Sequence, residues 1–334
     1  MNIETQTPDT YSPTPPDMQA YASGYSTVYQ ELPAAKCHPA IGQIPSDLIG
    51  TYFRSGPAMF SAGSLPPPKL SLVTPDTQPV PDGEDPNRMV KHPFEGDGAV
   101  LAVTFHGDNT AAARFRYVRT AGFTSERKKG KKLYKGMDST RDNPGDTGIG
   151  NDIPLPFYKH HLQPGLNKNR KNTSNTRPIY WAKKLLTLWE GGLPYKLDSL
   201  ALSTEGKSQL GGVLKPDTSF SSKGAYDSAS DRMLFYENQQ DSKSSELTVY
   251  EFNSKFRPVA GGDEGKISLT LPGLAMFSDF AVTKHYSVFI QPPINTNGLQ
   301  YMVSKEPGKT LSLDTNNHAV SISFPKSIYI CCSK

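Results

Sequence analysis

At 334 residues the chain can bury a large core, as one large domain or two average ones. A formal charge of +4 implies no polyanionic partner, and three cysteines, Cys37, Cys331 and Cys332, make no disulfide framework. Glycine (28) and proline (29) are scattered between short β-rich runs rather than repeated, which indicates many strands and many turns.

Residues 1–35 are rich in Pro, Thr, Ser and Tyr without a hydrophobic period and read as a flexible arm; residues 36–334 read as the folded part. Ile44 to Pro57 reads as a turn, a short strand and a closing turn at Gly56-Pro57. Residues 61–88 form a Pro-rich loop. His92-Pro93-Phe94-Glu95-Gly96-Asp97-Gly98 then leads into a strand over Ala99 to Phe105, and Gly107-Asp108-Asn109 turns the chain into a second strand over Ala113 to Val118. Ser125 to Lys135 is the one basic cluster. It lacks the aromatic interleaving of single-strand nucleic-acid binders, so a solvated loop is the expectation. In the loop-like stretch 142–171, His160 and His161 are adjacent, and in a strand they would point to opposite faces rather than converge on one ion.

The stretch Ile179 to Asp198 organises the chain. A strand-like apolar run ends at Trp189-Glu190, followed by the sharp turn Gly191-Gly192 and by Pro194. A carboxylate at the end of an apolar run is either solvated at a surface turn or compensated, because burying it alone costs several kcal/mol. Beyond it, strands are expected at Arg232 to Tyr236, Leu247 to Phe252, Lys266 to Leu271, Asp279 to Thr283, Tyr286 to Gln291, Leu299 to Val303, Ala319 to Phe324 and Ser327 to Cys331. Successive strands without helices indicate an all-β sandwich, barrel or propeller.

Gly206-Lys207-Ser208 mimics the end of a phosphate loop, but Ala201 stands where its first glycine is needed. No G-x-S-x-G, H-E-x-x-H or C-x-x-C pattern occurs, and no paired-carboxylate motif favours glycan processing. No run approaches a membrane span, and neither signal nor transit pattern is present, so the cytoplasm or a plastid is the expected compartment.

Several blocks resemble the carotenoid cleavage oxygenases, in order, from about residue 41 to about 325. They are Ile44-Pro45 through Gly56-Pro57, His92 through Gly98, Tyr117 to Thr120 with Glu126-Arg127-Lys128 as a strand and loop, Asn175-Thr176, and Leu188 to Leu197. The resemblance covers the first three-fifths of a family member. It implies an all-β, seven-bladed propeller, here incomplete, with Fe(II) on its axis held by four histidines, and O₂-dependent cleavage of a double bond in a carotenoid or apocarotenoid. Neutral imidazoles and open coordination positions suit Fe(II) and O₂. Glu190 falls where the family has a carboxylate that orients one iron-binding histidine. The first two iron-ligand positions are occupied here by Lys223 (Ser222 or Gly224 on a slip of one) and Ser278, and the other two belong to later blades. Lysine, with a side-chain pKa of about 10.4, and serine are poor Fe(II) ligands. The resemblance therefore implies either a dioxygenase impaired in this chain or a non-catalytic propeller that binds a lipophilic polyene or a protein. In the second reading Lys223 could form a Schiff base with an apocarotenal. Fe(II) binding by this chain as it stands is not expected, nucleic acid is not expected, and peripheral membrane contact is left open.

Overall fold

The computed structural model describes residues 27–61, 90, 93–134, 171–216, 218–240, 244–259, 266–273, 275–295 and 311–326. Short apolar runs punctuated by turn residues fold into antiparallel sheets, each built from strands close in sequence. The first has β1 (Leu32–Cys37), β2 (Ile49–Met59), β3 (Asp97–His106) and β4 (Ala111–Tyr117) in the order β1-β4-β3-β2. The second is a meander of β5 (Arg177–Trp181), β6 (Lys184–Leu188), β7 (Tyr195–Leu197) and β8 (Thr204–Lys207). The third is another meander, β9 (Phe220–Asp227), β10 (Arg232–Gln240), β11 (Ser244–Phe252) and β12 (Lys266–Pro272). A fourth joins β13 (Ala281–Val282) and β14 (Tyr286–Gln291) to β17 (Val320–Pro325), with β15 (Ile294–Asn295) and β16 (Ser312–Leu313) as a two-stranded ribbon.

These sheets are propeller blades. Each presents one edge strand to its neighbours, so that β2, β5, β9 and β13 contact one another in succession. The blades stack face to face on three apolar layers. Val100 and Ala102 meet Leu185, Tyr195 and Leu197 between the first two blades. Ile179, Leu186 and Leu188 meet Phe220, Phe235 and Phe252 between the second and third. Leu247 and Val249 meet Phe289, Ile322 and Phe324 between the third and fourth. Period 2 explains why β11 serves two layers: Leu247 and Val249 face one, Tyr250 and Phe252 the other. Phe235 is fully buried, worth about 1.5–3 kcal/mol. A buried ion pair, Lys326 Nζ to Asp227 Oδ2 at 2.6 Å, ties the end of the fourth blade to the end of β9.

The described chain departs from the sequence expectations in several places. β1 begins at Leu32, three residues before the boundary at 35, and pairs with β4. β2 does not close at Gly56-Pro57; it continues through a bulge to Met59. The first part of the basic cluster, Ser125 to Lys129, is not a loop but the end of helix α1, which spans Ala121–Lys129; residues 130–134 are turn and irregular. Thr120 accepts a hydrogen bond from the Phe123 amide as N-cap, and Gly130 ends the helix at φ 64°. Buried Phe123 stacks on Tyr117 at 5.5 Å, which supplies the packing that composition did not reveal. The apolar run before Trp189 is not one strand but the β5–β6 hairpin, turned at Ala182 (φ 48°) and Lys183 (φ 60°). Positive φ at both residues is the turn geometry that suits a two-residue hairpin, here without the usual Asn or Gly. The strand expected over Asp279 to Thr283 shortens to Ala281–Val282. Those expected over 299–303 and 327–331 lie outside the described residues.

Candidate functional site

The inner strand edges enclose a cavity of about 880 Å³. One wall comes from β2 (Arg54 to Ala58) and the start of β3 (Ala99, Leu101), another from Lys171 to Thr176, and a third from Trp189, Glu190, Ser222, Lys223, Ser278 and Asp279. Phe94, Phe115, Tyr134 and Trp189 supply aromatic surface. The volume lies within the usual range for small-molecule sites.

Glu190 stands two residues beyond the end of β6, after Trp189, so the hairpin delivers both to the cavity. The Gly191 amide donates to the Phe220 carbonyl at 3.2 Å, fixing the turn against β9. The Ser222 hydroxyl donates to Glu190 Oε1. Glu190 is exposed to the open cavity, although protein packed around it limits its hydration. That desolvation pushes its carboxyl above the ordinary carboxylate value; the Ser222 bond and the Lys223 charge oppose the rise, and Asp279 reinforces it.

Ser222 and Lys223 are neighbours in a strand and would normally point to opposite faces. A bulge in β9 changes this. Gly224 pairs with Phe235 and Phe220 with Glu237, so four residue steps on β9 oppose two on β10. The Ser221 hydroxyl spans the bulge, donating to the Lys223 carbonyl at 2.7 Å and accepting from the Lys223 amide at 3.3 Å. Both Ser222 and Lys223 thereby line the cavity. Gly224 is required beside them: a Cβ there would lie 2.6 Å from Phe235 Cε1 and 2.7 Å from Ile179 Cδ1.

The opposite wall is ionic and buried. Lys171 Nζ lies 2.6 Å from both Asp97 Oδ1 and Glu126 Oε2, and all three side chains are at least nine-tenths buried. Arg127 approaches Asp97 at 3.4 Å, and Lys132 meets Glu95 at 3.5 Å. Burial raises the Asp97 carboxyl, against the pull of Lys171. Burial works to lower the Lys171 ammonium, but Asp97 and Glu126 outweigh it and hold it above its usual value. Burial depresses Lys132, with Glu95 opposing.

Two sequence blocks meet at this wall. The Gly98 amide donates to the Thr173 carbonyl at 2.9 Å, and a Cβ on Gly98 would sit 2.3 Å from the Ser174 carbonyl oxygen. Asn175 Nδ2 donates to the Phe94 and Gly96 carbonyls at 2.8 Å each. The Phe94-to-Gly98 block and the Asn172-to-Thr176 block are thus one docking unit, with Asp97 carried into the ionic wall.

Glu190, Lys223 and Ser278, singled out in the sequence, line one cavity. The side chain bonded to Glu190 is Ser222. Lys171 had no sequence signal beyond its place next to Asn172. His160, His161 and His92 lie outside the described residues, and His38, His106, His285 and His318 do not line the cavity. Among the described residues no group of three or more His, Cys, Asp and Glu is placed to hold a metal ion. Described donors at the third wall are two carboxylates, two hydroxyls and an amine, a set without imidazole. Among the described residues no helix is long and apolar enough to cross a membrane.

Comparison with known proteins finds the family described as retinal pigment epithelial membrane protein over residues 25–327. Apocarotenoid-15,15'-oxygenase of Synechocystis is 33% identical over 78% of this chain and 46% of its own length. Resveratrol cleavage oxygenase 1 of Chaetomium globosum is 26% identical over 82% of this chain and 38% of its own. Isoeugenol monooxygenase of Pseudomonas nitroreducens is 28% identical over 80% and 45%. The cobalt-substituted Synechocystis oxygenase superposes with a TM-score of 0.72 at 29% identity, over 92% of this chain and 56% of that one. The chain therefore spans about half the length of the relatives it matches. Solved variants of the Synechocystis enzyme alter a threonine, a tryptophan and a glutamate, the first two thirteen residues apart and the last two adjacent. Thr176, Trp189 and Glu190 have the same spacing here, and all three line the cavity.

Proposed function

The chain belongs to the carotenoid oxygenase family, and on that premise we propose that its cavity binds a lipophilic conjugated polyene of the carotenoid or apocarotenoid class, with oxidative cleavage impaired. The observation that carries this reading is the cavity itself. Thr176, Trp189 and Glu190 are on its wall, and so are Lys223 and Ser278, the residues that the family resemblance aligns with imidazoles. In the full-length family Fe(II) supplies the O₂ chemistry. The described donor set does not fit that ion: an ammonium repels a dication, and hydroxyls bind Fe(II) weakly. No cleavage step is therefore derived for these residues. The retained parts bind and orient instead. Aromatic surface from Phe94, Phe115 and Trp189 suits a flat polyene, and Glu190 offers a polar terminus for a carbonyl or hydroxyl end group.

The test is titration of the purified chain with all-trans-retinol and all-trans-retinal, read by tryptophan quenching, beside iron analysis after anaerobic Fe(II) loading. Saturable binding with no iron-dependent aldehyde product is expected. Absence of binding overturns the polyene reading. About one iron per chain with cleavage products overturns the impairment.

A further inference from the structure

We propose that Lys223 is a covalent attachment point for a conjugated aldehyde, which it holds as an imine with Glu190 as proton partner. The inference rests on the polyene reading for the identity of the aldehyde, but its warrant is the β9 bulge. That bulge, pinned by Ser221, turns Lys223 into the cavity beside Ser222, whose hydroxyl engages Glu190.

Three lysines line the cavity, and they are not equivalent. Lys171 is gripped by Asp97 and Glu126, and Lys132 is paired with Glu95. Lys223 makes no ion pair within 4 Å among the described residues, so its amine is the one available to react. Its positive charge is nonetheless felt by Glu190, whose desolvated carboxyl takes up a proton more readily than an ordinary one.

The chemistry balances without an oxidant or reductant. The Lys223 ammonium gives up a proton, which the Glu190 carboxylate takes up through solvent in the cavity. The neutral amine adds to the aldehyde carbon, forming the C–N bond and a carbinolamine. The carbinolamine hydroxyl leaves as water with the proton from Glu190, the nitrogen loses its second hydrogen to solvent, and a C=N bond remains. One aldehyde and one amine give one imine and one water.

The experiment incubates the full chain with all-trans-retinal and cyanoborohydride and maps adducts by peptide mass spectrometry, with all-trans-retinol as the ligand that lacks a carbonyl. The expected result is a single adduct at Lys223, heavier by the aldehyde's mass less one oxygen. Lys223→Arg, with its fold checked by circular dichroism, gives none. Glu190→Gln slows trapping about a hundredfold. Retinal and retinol both binding with no adduct, or with adducts on Lys132, Lys171 or scattered surface lysines, overturns the imine and leaves the polyene reading standing. Neither ligand binding overturns both.

Discussion

Replacing Lys171 with methionine tests whether the ionic wall of the cavity is held by one side chain. Lys171 lies 2.6 Å from Asp97 and from Glu126, and those carboxylates are each about 3% exposed. Lys171→Met keeps the length of the stem and removes the charge, leaving two buried acids facing one another. Breaking a buried pair by deleting one partner costs about 3–5 kcal/mol. Arg127, at 3.4 Å from Asp97, compensates only in part, so the lower half of that range, about 3 kcal/mol, is expected at neutral pH. The pH dependence supplies a second check. The Asp97 carboxyl already sits above its ordinary value because it is desolvated, and loss of Lys171 raises it further. A carboxyl whose folded value exceeds its unfolded one binds its proton more tightly when folded. The penalty of the variant is then full above the folded value and shrinks as pH falls toward the unfolded one. Urea unfolding of wild type and variant at a series of pH values measures this difference. A loss below about 1 kcal/mol, as for a surface pair, or a penalty that does not change with pH, would refute the argument.

Other expectations follow from single contacts. Gly224→Ala forces a Cβ to within 2.6 Å of Phe235 and 2.7 Å of Ile179 and costs about 1–3 kcal/mol of stability, seen as a lower urea midpoint. Ser222→Ala removes the hydroxyl that donates to Glu190. The Glu190 carboxyl then titrates at higher pH than in wild type, read by carbon-13 NMR of labelled glutamate. Thr120→Ala removes the cap that bonds the Phe123 amide at 3.0 Å and costs about 1 kcal/mol, measured by chemical denaturation.

The strand pattern was legible because the β10 and β11 runs bury residues on both faces, so their sequence signal is a nearly unbroken apolar string. Helix α1 was not, since its sequence is mostly polar and its hold on the fold is Phe123 against Tyr117, a contact between residues that no local pattern joins. The β5–β6 hairpin was hidden for a different reason. Ala182 and Lys183 adopt positive φ without the glycine or asparagine that announces such a turn, so the neighbouring strands rather than the turn residues determine it.

The site divides along the same line. Glu190 was legible as a carboxylate at the end of an apolar run, and the Gly98 and Asn175 blocks were legible as motifs. That they are one object required the structure, because the Gly98–Thr173 and Asn175–Gly96 hydrogen bonds join segments more than seventy residues apart. The β9 bulge is the clearest case. Read as a regular strand, the sequence Ser221-Ser222-Lys223-Gly224 sends Ser222 and Lys223 to opposite faces, and only one of them can reach the axis. The two extra steps against β10 send both into the cavity, with Ser222 on Glu190 and Lys223 unpaired by any described carboxylate. Ser222 and Lys223, adjacent in the chain, both line the cavity. The bulge sends two adjacent side chains into the cavity that Glu190 borders, and an amine sharing a cavity with a carboxyl of raised proton affinity has a chemistry that a lone lysine or a lone serine lacks.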